Sequence, residues 1–150
     1  MYGITKNFKF EAAHRLFTMP SEHPCSNLHG HSYVVKVSIW VEDMKQMSNL
    51  NMVIDFGKLK VFQKQLDEFF DHSLILHEDD PLYDIIKPHV CKIMKMPNKL
   101  DVTAENMAFL FANSINEICK EFNVNSGQIQ VDVAETVGND GHYVREIGEI

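Results

Sequence analysis

The sequence predicts an α+β domain in which a four-stranded antiparallel sheet carries two helices on one face. Four stretches alternate apolar and polar residues with the period of a half-buried strand, and two others repeat apolar residues at helical spacing. Their order along the chain is β-β-α-α-β-β. Strands that follow one another through short connections pair antiparallel, so both helices must cover the same face of the sheet.

The first two predicted strands lie near the N-terminus. Alternation over residues 2–14 places His14 at the end of the apolar side of the first strand. A second alternation covers residues 31–41 and puts Tyr33 and the apolar residues after it on one face. Residues 16–28 contain two prolines and predict a loop, and the polar residues 42–51 predict a turn.

The two predicted helices follow. Asp55 is a candidate N-cap for a helix over residues 55–70, and Thr103 for a helix from residue 103 to about 122. The apolar stripe of the first helix comprises Leu59, Phe62, Leu66, Phe69 and Phe70. That of the second comprises Met107, Leu110, Phe111, Ile115, Ile118 and Phe122.

The remaining segments differ in how clear their patterns are. Residues 77–100 contain three prolines and predict only a helical turn near 82–86 and a short strand near 90–94. Alternation returns over residues 128–135 and places Glu135 at the end of an apolar row. A turn at residues 138–141 then leads to a last short strand over residues 143–147.

Composition limits the classes of protein to consider. The length of 150 residues fits one domain, and the 21 acidic residues outnumber the 14 basic ones, giving a net charge of −7. This balance argues against a general surface for nucleic acid or anionic membranes. The three cysteines are too few for a disulfide framework, and the first residues predict no signal peptide. We therefore expect a cytoplasmic protein without nucleic-acid or membrane partners.

Three histidines form the strongest candidate for a functional site. His29 and His31 flank Gly30, so on an extended chain both imidazoles point to the same side. If the first two strands form a hairpin, His14 lies beside them. Three neutral imidazoles leave one position of a tetrahedral Zn²⁺ open, which is typical of a catalytic site. The alternative is two loop histidines and a core histidine without metal.

Cys25 precedes His29 by four residues and has two alternative roles. As a fourth zinc ligand it would close a structural site. As a free thiolate beside an open zinc ion it would act as a base or a nucleophile. The residues alone do not separate these alternatives.

Other polar residues stand at positions where chemistry is plausible. Asp71 and His72 are adjacent and together can hold a proton near neutral pH, although a solvated pair at a helix end is the alternative. Glu135 on an apolar face requires a partner, and a bidentate one suits a carboxylate. Glu105 is favourable in the first turn of the second helix, and the N-terminus at Thr103 offers free N–H groups to a polar ligand.

Taken together, these motifs resemble in order and spacing the 6-pyruvoyl-tetrahydropterin synthase and 6-carboxytetrahydropterin synthase family. The resemblance runs from about residue 3 to residue 147, nearly the whole chain. The segments that carry it are residues 10–16, 25–33, 53–60, 71–72, 103–106 and 135–136, with Tyr143 downstream. Each segment alone is common, whereas the combination is specific.

The resemblance implies a tunnelling fold, in which ββααββ units form a trimeric barrel and two trimers stack as a homohexamer with active sites between subunits. It implies His14, His29 and His31 as zinc ligands and Cys25 as the proton-abstracting base. By the same resemblance, Asp71 and His72 form the acid–base pair that works with Cys25. Glu135 anchors the pterin ring, and Thr103 and Glu105 lie in the pterin pocket.

The implied reaction is a lyase reaction on 7,8-dihydroneopterin triphosphate, with zinc polarising the side-chain hydroxyls. Three residues separate Cys25 from His29, as in the compact bacterial members that form 6-carboxytetrahydropterin for queuosine synthesis and release acetaldehyde. We therefore expect the carboxy product. The alternatives are a 6-pyruvoyl-tetrahydropterin synthase and a non-catalytic zinc-binding module, although a structural zinc needs neither Asp71-His72 nor Glu135.

The chain also departs from the family pattern. Val102 stands where the family often has proline, and residues 77–100 form a longer segment than in the shortest members. Candidates for holding the triphosphate are Lys9, Arg15 and His23.

Overall fold

The computed structural model describes residues 1–43, 45, 47 and 50–149. The strands in this part of the chain are β1 (Tyr2–His14), β2 (His29–Val41), β3 (Ser73–Leu76), β4 (Ile93–Lys95), β5 (Gln128–Thr136) and β6 (Asn139–Glu146). The α-helices are α1 (Lys60–Gln65), α2 (Leu82–Ile86) and α3 (Ala104–Glu121). A π-helical turn (Leu66–Phe70) continues α1, and 3-10 turns lie at Pro24–Ser26, Lys87–His89 and Pro97–Lys99. The predicted α+β class is confirmed.

The long β1–β2 hairpin is the centre of the sheet. The two strands pair antiparallel along their whole length, from Tyr2 opposite Val41 to His14 opposite His29. Phe10 and Tyr33 lie opposite each other on the helix-covered face, where their rings stack with centroids 4.6 Å apart. Both side chains are buried, as the alternation predicted. The pairing therefore brings the end of β1 beside the start of β2.

The sheet has six strands rather than the predicted four, in the order β4-β3-β1-β2-β5-β6. β3 pairs with β1 and β4 pairs with β3, both in parallel, so the prediction of an entirely antiparallel sheet is wrong in this region. All four residues of β3 are buried, and a continuous buried run shows no alternation. β4 has only three residues and lies slightly later than the predicted strand. The helical turn predicted near residues 82–86 is confirmed as α2.

The first predicted helix begins later than expected. Residues 55–59 form turns in which the Asp55 carboxylate accepts a hydrogen bond from the amide of Gly57 at 2.7 Å. Phe62 and Leu66 are buried as predicted, whereas Phe69 is 50% exposed. The reason is the π-helical turn, whose wider winding breaks the 3.6-residue period, so that Phe70 packs inward and Phe69 does not.

The second predicted helix is confirmed as α3. The Thr103 hydroxyl caps it by accepting a hydrogen bond from the amide of Asn106 at 3.2 Å. Met107, Phe111, Ile115 and Ile118 are buried against the sheet, and Leu110 and Phe122 are partly buried. The position of α3 is therefore set by its apolar stripe, and its N-terminus lies at the edge of the helix-covered face.

The C-terminal hairpin is tighter than predicted. β5 matches the predicted strand, but β6 begins at Asn139 because the turn consists only of Val137 and Gly138. Gly138 has a φ of +87°, a conformation that favours glycine.

Two further expectations concern particular parts of the chain. The turn predicted for residues 42–51 includes residues 44, 46, 48 and 49, which lie outside the described residues. Among the described residues, no helix has the length and apolar character that crossing a membrane requires.

Candidate active site and metal centre

His14, His29 and His31 meet on the helix-covered face of the sheet. Strand pairing places His14 opposite His29, and His31 follows two residues later on the same side. The three ring centroids lie 4.6 to 5.0 Å apart. One ligand nitrogen from each ring lies within 4.8 Å of the other two. These residues, the three-histidine cluster, are the arrangement that the sequence predicted.

Hydrogen bonds to main-chain carbonyls orient two of the rings. Nδ1 of His14 donates to the carbonyl of Val102 at 2.8 Å, and Nδ1 of His29 donates to that of Asn27 at 2.7 Å. A carbonyl oxygen only accepts, so both Nδ1 atoms carry the proton and both Nε2 atoms present a lone pair. Val102 acts through its main chain, so the departure from the family's proline leaves this bond intact.

The Nε2 atoms are placed as ligands of one metal ion. Those of His14 and His29 face each other at 3.1 Å. Two nitrogens bound tetrahedrally at 2.0–2.1 Å would be roughly 3.3 Å apart. Among the described residues, Nε2 of His31 is buried without a hydrogen-bond partner. Facing lone pairs and a buried orphan nitrogen are both unfavourable without a cation, so the cluster could hold a metal ion.

The surroundings favour the neutral form of two of the three rings, those of His14 and His31. Burial lowers the pKa of His14 to about 4, and the neighbouring His29 and His31 act in the same direction against the Val102 hydrogen bond. Burial also lowers the pKa of His31, with His29 contributing. Neutral imidazoles are the form that binds a metal ion.

Cys25 lies in the 3-10 turn before β2 and is partly exposed. Its carbonyl accepts from the amide of Leu16 at 2.8 Å, and its amide donates to Nδ1 of His23 at 3.1 Å. Within the described part of the chain, the donors close enough to share one ion are the three histidines without Cys25. This arrangement favours the open site over a site that the thiolate closes.

A cavity of about 400 Å³ adjoins the cluster and brings together Thr103, Glu105 and Glu135. Oε1 of Glu135 lies 3.9 Å from Nε2 of His14, and its side chain is 27% exposed. Burial raises the pKa of Glu135, with His29 opposing the rise and Glu105 adding to it. A half-buried carboxylate at the wall of a cavity is suited to a ligand that donates hydrogen bonds.

Gly141 shapes this cavity, and sequence reasoning missed it. A Cβ atom there would lie 2.5 Å from the amide nitrogen of Glu105. Only glycine therefore allows β6 to lie against the first turn of α3. The sequence predicted a turn at residue 141, and only the structure shows this residue inside β6, where a glycine marks a close backbone approach.

Asp71 and His72 form an ordered pair at the end of the π-helical turn. Nδ1 of His72 donates to the Asp71 carboxylate at 2.7 Å, and the same carboxylate accepts from the amide of Glu11 at 2.8 Å. The Glu11 amide, followed by His72 and Lys92, holds the pKa of Asp71 below its usual range. The His72 side chain remains 79% exposed, so its Nε2 is open to exchange protons.

The pair and the cluster lie on opposite sides of the sheet. His72 lines a cleft of about 480 Å³ together with Ala12, His31 and Ser73 and, from the alternate strand positions, Glu11, Ala13, Gly30 and Ser32. Along the strands, these four residues alternate with the residues that face the helices. Within one chain, the structure thus unites the predicted metal and pterin residues but leaves the predicted acid–base pair on the other face.

The candidate triphosphate residues have different surroundings. Arg15 donates from Nε and Nη2 to both oxygens of buried Asp80, at 2.8 and 2.6 Å. Nδ1 of His23 is engaged by the Cys25 amide. Lys9 is exposed on the sheet face without helices. Two of the three candidates are therefore already used in holding the chain around the site.

Comparison with known proteins places this geometry in a family. The sequence profile of the 6-pyruvoyl tetrahydropterin synthase family matches residues 3–146. The chain is 41% identical over 118 residues to a 6-carboxy-5,6,7,8-tetrahydropterin synthase from Rickettsia felis, covering 77% of this chain and 80% of that protein. It is 33% identical over 136 residues to the protein of the same name from Aquifex aeolicus, covering 80% and 82%.

Solved structures show the same fold. A crystal structure of an uncharacterised protein from Wolinella succinogenes matches with a TM-score of 0.73 at 22% identity, covering 95% of this chain and 97% of that one. A catalytic-residue mutant of Plasmodium vivax 6-pyruvoyltetrahydropterin synthase matches with a TM-score of 0.70 at 20% identity, covering 97% and 98%. These likenesses confirm the tunnelling fold. The chain belongs to the 6-pyruvoyl tetrahydropterin synthase family.

Proposed function

We propose that this chain is a 6-carboxy-5,6,7,8-tetrahydropterin synthase. It converts 7,8-dihydroneopterin triphosphate and one water molecule to 6-carboxytetrahydropterin, acetaldehyde and triphosphate, a step of queuosine synthesis. The observation that carries the proposal is the three-histidine cluster beside a cavity that contains Glu135, Thr103 and Glu105. The product assignment follows the relatives at 33 to 41% identity, which are named as carboxy synthases.

The cluster would hold one Zn²⁺ through Nε2 of His14 and His29 and through His31. When bound, zinc supplies a Lewis acid that polarises the hydroxyl groups of the substrate side chain. The protein contributes the two carbonyls that fix the His14 and His29 rings, and outer partners of this kind orient metal-binding histidines.

Glu135 recognises the pterin ring. A pterin presents a ring N–H and an amino group side by side, which match the two oxygens of one carboxylate. Glu135 stands at the end of a buried row on β5 and lines the cavity beside Thr103 and Glu105. The first amides of α3, beside Thr103 and Glu105, provide donors for carbonyl or ring nitrogen acceptors.

Proton transfer is assigned to Cys25 and to the Asp71–His72 pair. Cys25 takes a proton from the substrate side chain, which lies between the ring and the triphosphate. His72 exchanges protons through Nε2, because its Nδ1 is fixed by the Asp71 carboxylate. The carboxylate also stabilises the imidazolium that forms when His72 accepts a proton.

The position of Asp71 and His72 in the chain suits an active site shared between subunits. Since Asp71 and His72 face away from the cluster of their own chain, we propose that they serve the site of a neighbouring chain. The proposed assembly is a homohexamer of two stacked trimers in the cytoplasm, with each active site between subunits. The exposed sheet face and the ordered but exposed His72 support this arrangement.

Mass spectrometry of the products tests the reaction. Zinc-loaded protein incubated with 7,8-dihydroneopterin triphosphate should yield 6-carboxytetrahydropterin, and a hydrazine trap should capture acetaldehyde. A product that keeps all three side-chain carbons would instead assign the pyruvoyl activity. Unchanged substrate would refute the lyase.

Thiol titration tests the non-catalytic alternative. In a Cys91→Ser background, the exposed thiol is gone and Cys119 is buried, so a thiol reagent reports on Cys25. The open site predicts that Cys25 reacts whether or not zinc is bound. Protection that disappears on adding a chelator would support a structural site closed by Cys25.

A further inference from the structure

Lys92 binds the segment that carries the proposed acid–base pair. Its Nζ donates to the carbonyl oxygens of Asp67 and Asp71, both at 2.6 Å. The carbonyl of Lys92 accepts from the amide of Leu74 at 3.1 Å, which anchors Lys92 beside β3. The ammonium group therefore joins the last turn of the π-helix to the start of β3. Lys92 belongs to the segment 77–100, which has no part in the proposed reaction.

The backbone that Lys92 holds is strained at the catalytic position. His72 has a φ of +56°, in the left-handed region that a non-glycine residue adopts only at an energetic cost. Such a conformation persists only where the surroundings fix it. On one side the His72 amide donates to the carbonyl of Glu11 at 2.6 Å, and the Glu11 amide donates to Asp71. On the other side, the carbonyl of Asp71 is held by Lys92.

The charge of Lys92 acts on the same group. A cation at the C-terminal end of a helix interacts favourably with the unpaired carbonyls there. Together with the Glu11 amide and His72, the ammonium favours the ionised Asp71 carboxylate.

We propose that Lys92 is a positioning residue for the Asp71–His72 pair. It holds the Asp71 main chain so that His72 keeps its left-handed backbone conformation and its imidazole points outward. This inference rests on the proposed function, in which the pair moves protons. Lys92 itself touches no substrate. The segment 77–100 therefore has a role in the site. Glu11 of β1 binds the pair through its main chain, and Lys92 adds the hydrogen bond to the Asp71 carbonyl.

The test compares Lys92→Met with Lys95→Met in the zinc-loaded protein. Lys95 is a matched control, because it lies on β4 with its Nζ 4.2 Å from the centroid of the Tyr83 ring. Lys92→Met should lower kcat about tenfold through misplacement of the pair while KM stays within about twofold. Lys95→Met should leave both unchanged. Lys92→Arg keeps the cation and should restore most of the activity.

A second readout does not depend on turnover. Removing the cation and loosening the Glu11 bond both raise the pKa of the Asp71 carboxyl, which carbon NMR of the substrate-free protein measures. A rise in Lys92→Met and none in Lys95→Met would support the proposal. If Lys92→Met lowers only the melting temperature, with kcat and the Asp71 pKa at parental values, Lys92 is a helix cap and the proposal fails.

Two further controls separate the possible failures. Should Lys92→Met not fold, Lys92→Gln keeps a neutral amide NH₂ that can donate hydrogen bonds, and the same two measurements on it decide the question. If the parent protein does not turn over the substrate, the proposed function fails, while the NMR comparison still decides whether Lys92 positions Asp71.

Discussion

The three-histidine cluster and the Asp71–His72 pair lie on one sheet but in opposite environments. His14 is only 2% exposed, and burial keeps its ring neutral, whereas the His72 side chain is 79% exposed. A metal ligand benefits from exclusion of water and of protons, while an acid–base group must reach both its substrate and solvent. The cluster is complete within the chain, but the pair is ordered toward a surface that the chain itself leaves open. We infer that each chain orders the three-histidine cluster and the Asp71–His72 pair at separate places, and that the cluster of one chain meets the pair of another when chains assemble.

The largest expected effect comes from breaking the buried region. His29→Ala should reduce metal content from about one zinc per chain to near zero and abolish turnover, because two ligands hold zinc poorly. The fold should persist, since His29 is only partly buried. Elemental analysis and circular dichroism measure both properties, and His142→Ala, at an exposed site on β6, is the control. A parent protein purified without chelators and found free of divalent metal would contradict the metal site.

The next effect separates catalysis from metal binding. Cys25→Ala should retain zinc and lose turnover about 10²- to 10⁴-fold, the range for a general acid–base group. Zinc content and steady-state rates are measured on the same preparation. The control is Cys91→Ser, because Cys91 is exposed, whereas Cys119 is buried in the core and its replacement would disturb packing. Joint loss of zinc and activity in Cys25→Ala would instead make Cys25 a ligand.

A smaller effect concerns pterin recognition. Glu135→Gln replaces one acceptor with a donor, so a pterin amino group meets another donor in a half-buried position. A buried unsatisfied group costs about 1–3 kcal/mol, and pterin affinity should therefore fall about 5- to 150-fold. Calorimetry with a pterin measures the affinity, zinc content should not change, and Glu146→Gln on exposed β6 is the control. Unchanged pterin affinity would remove Glu135 from the site.

The smallest effect tests the packing of the cluster. The Tyr33 hydroxyl is buried and, among the described residues, has no hydrogen-bond partner, while its ring packs edge-on against His14 and His31. Tyr33→Phe preserves the ring and should raise stability by about 1 kcal/mol by removing the unsatisfied group. Denaturant unfolding measures this change. A loss of stability would mean that the hydroxyl has a partner, such as an internal water molecule.

These two regions also differ in how far the sequence predicted them. Strict alternation in β1, β2 and β5 gave the correct side for His14, His31 and Glu135, because a period of two leaves only two faces. The Val102 carbonyl that orients His14 could not be predicted, since main-chain partners depend on tertiary packing rather than on side-chain type.

The surroundings of Asp71 and His72 were predicted less well. β3 is fully buried and β4 has three residues, so neither shows the alternation that marks a strand. Because β3 was not predicted, the predicted sheet lacked the parallel pairing of Ser73 with Ala12. The face of the sheet on which His72 lies could therefore not be predicted either. The π-helical turn that exposes Phe69 likewise breaks the helical period on which the prediction relied.

The central claim, that each active site takes its Asp71–His72 pair from another chain, has a direct test. Cys25→Ala and His72→Ala chains carrying different tags are co-expressed, and mixed assemblies are purified through both tags. Each variant alone is expected to be inactive. If sites lie between chains, random mixing in a symmetric assembly leaves roughly a quarter of them with both residues intact, and activity returns to that level. Mixed assemblies as inactive as either variant alone, with normal zinc content, would show that each chain completes its own site and would contradict the account.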